Sequence, residues 1–144
     1  MTTRPAPAFS AGFGPATPLL RLFDEAHTRA FYIDFLGFTV DWEHRFGDNF
    51  PLYLQVSLGG CVLHLTSHYG DCSPGGAVRI PVVDIATLTT LQQRLLAADF
   101  RYAKPGLEDM PWGTRELRLG DPAGNRLVFF ADLPPSNNNS EETP

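Results

Sequence analysis

Residues 61–72 read CVLHLTSHYGDC and bring Cys61, His64, His68, Asp71 and Cys72 into twelve positions. Imidazole, thiolate and carboxylate are the donors of a transition-metal site, and the two cysteines would also close a disulfide loop. Alternation along CVLHLT argues first for a strand, in which His64 shares a face with Val62 and Thr66 while Cys61, Leu63 and Leu65 point the other way. If the chain stays extended, His68 lies about 13 Å beyond His64, at ~3.3 Å per residue. Only a bend in the following loop would bring it, or Asp71, back. The two thiols are expected to be free, because they are the only cysteines of the chain and a cytosol keeps thiols reduced. Neither is read as a nucleophile: Cys61 is expected to face a helix layer and Cys72 a loop without an identifiable base. His64 therefore stands as a hydrogen-bond donor to a ligand or a lone general base, against the plainer role of a polar residue satisfied by a neighbour or by water.

Other residues join it. Trp112 sits between Pro111 and Gly113, where burial is awkward, and is expected to line a cleft. Trp42, in a strand where regular alternation groups it with Val40 and His44, is read as either core or stacking surface. Phe46 and Phe50, in the turn-rich RFGDNFP, either close over the cleft or anchor their loop on the sheet. Glu116 and Arg115 project oppositely from one strand, and Glu116 is assigned to the cleft as an acidic floor; its alternative is a solvated carboxylate paired with an Arg. Asp41, Glu43 and Arg115 are read as solvated. The candidate ligand-binding set is Trp42, Phe50, His64, Trp112 and Glu116, with no catalytic set. No Ser-His-Asp pattern is legible, and GDCSPGG lacks the Lys and the helix of a phosphate-binding loop.

The elements that must position these residues follow from pattern. The 144 residues suit one domain; 43% are hydrophobic and 19% charged, and no apolar run approaches the ~20 residues of a membrane helix. A formal charge of −5 with scattered basic residues argues against a nucleic-acid partner. No export signal is read, so a cytoplasmic location is expected. Residues 17–23 read as a strand, Asp24 as a helix N-cap, EAHTRAFYIDFL as a helix closed by Gly37, and residues 38–44, 53–58 and 61–66 as strands, with Gly59-Gly60 as a hairpin turn. The pattern then restarts: a strand over 77–83, Asp84 as N-cap, a helix through Ile85, Leu88, Leu91 and Leu95, a short strand near FRYAK, a loop holding GLEDMPWG, and strands over 114–119 and 126–130 around DPAGN. Two tandem βαβββ modules, about 17–68 and 76–132, predict an α+β domain: a curved mixed sheet with a concave cleft and its helices on the outer face. Residues 1–16 read as an extended arm and 133–144 as a disordered tail.

FYIDFLGF, LHL, PWGTRE and DPAGNRLVFF, in this order and spacing over residues 17–131, resemble the vicinal oxygen chelate superfamily, closest to the bleomycin resistance proteins and their glyoxalase-like relatives. The resemblance implies metal ligands on the inner faces of the first, fourth, fifth and eighth strands in the family's enzymes. Those positions fall here on Pro18, His64, Val78 or its neighbour, and Val128, and one donor does not hold a divalent ion. Proline at the first position, Trp42 and the phrase around Trp112 agree instead with the binding members. The expectation is a metal-free homodimer, without cofactor, that sequesters an aromatic, cationic small molecule such as bleomycin; the alternative is a glyoxalase-like lyase or isomerase, or a dioxygenase-like enzyme, with an atypical metal set or with His64 as base. The reading leans away from an enzyme and names neither a nucleic acid nor a membrane as partner.

Overall fold

The computed structural model describes residues 10–100 and 105–135. After a 3-10 turn at Ser10–Gly12 come β1 (Leu19–Arg21), α1 (Glu25–Arg29) and its π-helical continuation (Ala30–Phe35), β2 (Thr39–His44), β3 (Tyr53–Leu58) and β4 (Cys61–Thr66). The second half repeats the order with β5 (Ala77–Pro81), α2 (Ile85–Ala98), β6 (Leu107–Asp109), β7 (Thr114–Gly120) and β8 (Arg126–Asp132). The fold is α+β with two repeated modules, as expected. The strands form two four-stranded mixed sheets, ordered β1-β4-β3-β2 and β5-β8-β7-β6. In each, the first strand runs parallel to the last and the other pairs are antiparallel.

Local chemistry explains the boundaries. Asp24 and Asp84 cap their helices by accepting from the backbone N–H of His27 and Thr87, both at 2.8 Å. The first helix ends at Gly37, whose φ of +91° is a left-handed conformation that favours glycine. Its π-helical turn lets Phe31, Tyr32 and Phe35 all enter the core. One expectation changes. GLEDMPWG is not all loop, since Leu107–Asp109 pairs with β7 as the edge strand β6. The strand expected near FRYAK, most of the arm and most of the tail fall outside the described residues.

One apolar core joins the modules, with Leu22, Phe31, Tyr32, Leu54, Leu63 and Leu65 from the first half and Leu88, Leu95, Leu117, Leu127 and Phe129 from the second. A buried polar tie reinforces it. Asp121, in the DPAGN turn, accepts the Tyr32 hydroxyl at 2.6 Å and the Asn125 side-chain amide at 2.8 Å, and Asn125 also donates to the Arg21 carbonyl at 2.9 Å. Each sheet thus turns one face to this core and leaves the other open. Among the described residues, no helix is long and apolar enough to cross a membrane.

Candidate functional site

The open face of the first sheet is built by register. The Gly59-Gly60 turn pairs Leu58 with Cys61, and so sets Gln55 opposite His64 and Tyr53 opposite Thr66. His64 lies on this face, as alternation predicted. Trp42 reaches it by a different route. A bulge at Asp41 leaves Val40 paired with Val56 toward the core but pairs Trp42 with Gln55 on the open face. Trp42 therefore does not share a face with Val40, because the extra residue reverses the alternation. Its ring lies parallel to Tyr53, with centroids 5.9 Å apart and planes 3° apart, and edge-on to His64 at 5.3 Å.

A directional hydrogen-bond chain holds this group. Asp41 accepts from the Gln55 amide nitrogen at 3.1 Å and from Ser57 Oγ at 3.0 Å. The amide is thereby oriented with its oxygen toward His64 Nε2, 2.9 Å away. His64 must then carry its proton on Nε2, so a neutral ring accepts at Nδ1 from the Tyr53 hydroxyl, at 2.6 Å. Burial, and then the negative charge of Asp71, push the Tyr53 hydroxyl above its ordinary range, which keeps it a donor. Asp41 is thus no idle solvated acid: it sets the direction of the chain.

The loop after β4 bends back, against the extended-chain distance. Arg21 is buried and meets no carboxylate among the described residues; its guanidinium donates to the carbonyls of Thr66 (3.0 Å), His68 (2.9 Å) and Cys72. Thr66 Oγ1 donates to Asp71 at 2.8 Å. The His68 ring comes to 6.3 Å from Tyr53 and 6.4 Å from Phe46, whose other neighbour is His44 at 4.5 Å. Phe46 is 72% exposed and so is not a packed loop anchor, and Phe50 is half exposed, without a ring contact to Trp42 or His64. Arg21→Ala is expected to cost about 1–3 kcal/mol and to speed amide exchange selectively in residues 67–73, with Arg21→Lys recovering only part because an ammonium cannot fork to three carbonyls. Unchanged exchange there would refute the clamp. Cys61 and Cys72 are both free, and burial raises the Cys61 thiol, which leaves it a poor nucleophile.

On the second sheet, Glu116 is fully covered. It accepts from Trp112 Nε1 (3.2 Å) and Thr114 Oγ1 (2.9 Å) and pairs with Arg79 (3.0 Å) and Arg118 (2.9 Å). Burial alone would raise its pKa, but these four donors outweigh it and hold the carboxyl at about 2. The expected acidic floor is therefore neutralised by two guanidiniums. Its buried oxygens fix Trp112, which is 62% exposed at the β6–β7 turn. Arg79 also lies over the Phe130 ring, 4.2 Å from its centroid.

The candidate residues form two groups. Trp42 and His64 meet on the first sheet and Trp112 and Glu116 on the second, while Phe50 stays apart in its loop. The contacts of each group remain within its own module. A divalent ion does not fit. Pro18 offers only its carbonyl, already taken by the His64 N–H; both His64 ring nitrogens are engaged; Val78 packs on the core, while its open-face neighbour is the cation Arg79; and Val128 has no donor. Among the described residues no three His, Cys, Asp or Glu side chains are placed to hold a metal. Tyr53, Gln55, Asp41, Arg79 and Phe130 were missed as site residues. Register counting from Gly59-Gly60 was the available signal for Tyr53 and Gln55.

The comparisons agree with this architecture. The sequence matches the family described as glyoxalase superfamily protein over residues 6–134, and no curated protein matches it. Among solved structures it is similar to a bleomycin-binding protein complexed with bleomycin: 22% identity, TM-score 0.65, over 83% of this chain and 99% of that one. It is similar to an antibiotic-binding protein from Streptomyces sp. CB03234 at 21% identity and TM-score 0.63, covering 81% and 93% of the two chains. It is equally similar in fold to a lactoylglutathione lyase from Agrobacterium tumefaciens: 18% identity, TM-score 0.63, and 82% and 92% coverage. Binding proteins and a lyase stand side by side here, so the likeness speaks for fold and leaves function to the site. By the span of the family match and the paired βαβββ modules, the chain belongs to the glyoxalase superfamily.

Proposed function

We propose that the chain is a metal-free capture protein of the bleomycin resistance type, a cytoplasmic homodimer that sequesters an aromatic small molecule on its open sheet faces. The observation that carries this is that each module holds one indole exposed yet fixed. Trp42 is 43% exposed but stacked on Tyr53, which the Asp41–Gln55–His64 chain anchors; Trp112 is 62% exposed but tied through its N–H to Glu116. An exposed aromatic ring that is already ordered loses little entropy when a flat ligand stacks on it. Two such plates on faces left open by a single chain suit a partner subunit closing over them, as the expected dimer requires.

Titration with bleomycin, followed by tryptophan fluorescence, tests the reading. Saturable quenching at micromolar ligand is expected, weakened about tenfold or more in Trp42→Ala. No saturable change would remove bleomycin as ligand, and sedimentation of a monomer at micromolar protein would remove the dimer.

The second reading, an enzyme with His64 as base, has the Tyr53–His64 contact in its favour. It is the weaker one, because both ring nitrogens are engaged within the protein and no lone pair is left for a substrate.

A further inference from the structure

We infer that the ligand of the second sheet carries an anionic group that docks on Arg79 and Arg126, beside the ring surface it lays on Trp112. This rests on the small-molecule reading of the open faces and reverses the cationic ligand expected from sequence.

The charge layout carries the inference. β5 and β8 pair in parallel, Arg79 opposite Val128 and Ala77 opposite Arg126, and β7 sets Arg118 against Val128 and Gly120 against Arg126. All these residues project from the open face, since Val78, Ile80, Leu127 and Phe129 fill the core side. Three guanidiniums thus surround Val128. Their acidic partners are Glu116, buried beneath them, and Glu108 at the sheet edge, 3.6 Å from Arg118. The third acid of this face, Asp132, lies at the far end of β8 opposite Thr114.

Arg118 is therefore bracketed by two carboxylates, whereas Arg79 and Arg126 have capacity left. Arg79 gives NH1 to Glu116 and rests on Phe130, so its plane is held while its side chain stays 47% exposed. Arg126 is exposed and meets no acidic side chain among the described residues. The two start from adjacent strands, offset two positions, ~7 Å along the sheet, and Ala77 and Gly120 leave the space beside Arg126 open. A pre-oriented guanidinium is a good receptor for a planar carboxylate or for a sulfonate. A cationic group here would meet the same two arginines as repulsion, with no exposed carboxylate at the centre of the face to offset it.

Three probes of one shape decide the matter: 2-naphthoate, 2-naphthamide and 2-naphthylmethylammonium, titrated by calorimetry against wild type, Arg79→Gln, Arg79→Lys and Arg126→Gln. The expected order is naphthoate tightest, by about tenfold over the amide, with the ammonium weakest. That preference should shrink to about twofold in Arg79→Gln, survive in part in Arg79→Lys, and fall between about 50 and about 500 mM NaCl. Arg126→Gln, which does not touch Glu116, should lower naphthoate affinity about threefold without changing the fold. Equal binding of all three probes, lost in Trp112→Ala, would overturn the anionic subsite and leave the capture reading standing. Tightest binding of the ammonium, or a naphthoate preference unchanged in both Arg79→Gln and Arg126→Gln, would also overturn it. If no probe binds wild type, the subsite is overturned, while the bleomycin titration still decides the capture reading.

Discussion

Asp121→Ala is expected to lower stability by about 3–5 kcal/mol, with a fall in Tm on the order of 10 °C. The carboxylate is buried and accepts four hydrogen bonds: the backbone N–H of Ala123 and of Asn125 through Oδ1, and the Tyr32 hydroxyl and Asn125 amide through Oδ2. Alanine leaves all four donors without that acceptor, and the Tyr32 hydroxyl has little water to turn to. Burial, and then the charge of Asp121, push the pKa of this hydroxyl far up, so it serves only as a donor. Tyr32→Phe removes one donor and keeps the turn, with an expected cost of about 1–2 kcal/mol. Asp121→Asn should fall between, since its oxygen can still serve the turn. Urea denaturation checks the series; an Asp121→Ala loss below about 1 kcal/mol would show that the tie between modules is incidental.

The second large effect is on pH. The Glu116 carboxyl has a folded-state pKa of about 2, against 4.5 for the free group. A depressed pKa means that the unfolded chain binds the proton first, so the stabilisation is complete above about pH 4.5 and is lost as pH falls toward 2. Urea midpoints should be flat in Glu116-linked terms near neutrality and decline across that window. Glu116→Gln should be less stable at pH 7, because Arg79 and Arg118 lose their shared anion, and should show a shallower acid limb. Its Trp112 emission should also shift toward that of a freely hydrated indole. Wild-type and Glu116→Gln curves that stay parallel from pH 5 to 2 would falsify the assignment of that limb to Glu116.

Much of the fold was legible because its signals are local. The Asp24 and Asp84 caps, Gly37, and the Gly59-Gly60 turn each depend on residues a few positions apart, and the repeat of strand, helix and three strands needs only alternation and spacing. The site was less legible because its signals are not local. Once Leu58 pairs with Cys61, counting outward gives Gln55 opposite His64, so that part of the chain was within reach. The bulge was not: nothing in TVDWEH marks Asp41 as the residue that opposes no partner. Nor does local sequence say that Glu116 is covered by Arg79, thirty-seven positions away, or that Arg21 bends residues 67–72 inward. Burial of a charge is decided by tertiary neighbours, and alternation gives only the face.

The extra residue in β2 divides that strand into two independent territories. Before it, Val40 is committed to the interior through Val56; after it, Trp42 and His44 are committed to the surface through Gln55 and Tyr53. Substitution at Trp42 or His44 can therefore reshape this open face without disturbing the packing that folds the module. Removing Asp41 would leave Val40 opposite Val56 and Trp42 opposite Gln55, and would cost instead the carboxylate that orients the Gln55 amide. On the proposed capture reading, this surface is free to diversify by point mutation without a change in the core beneath it.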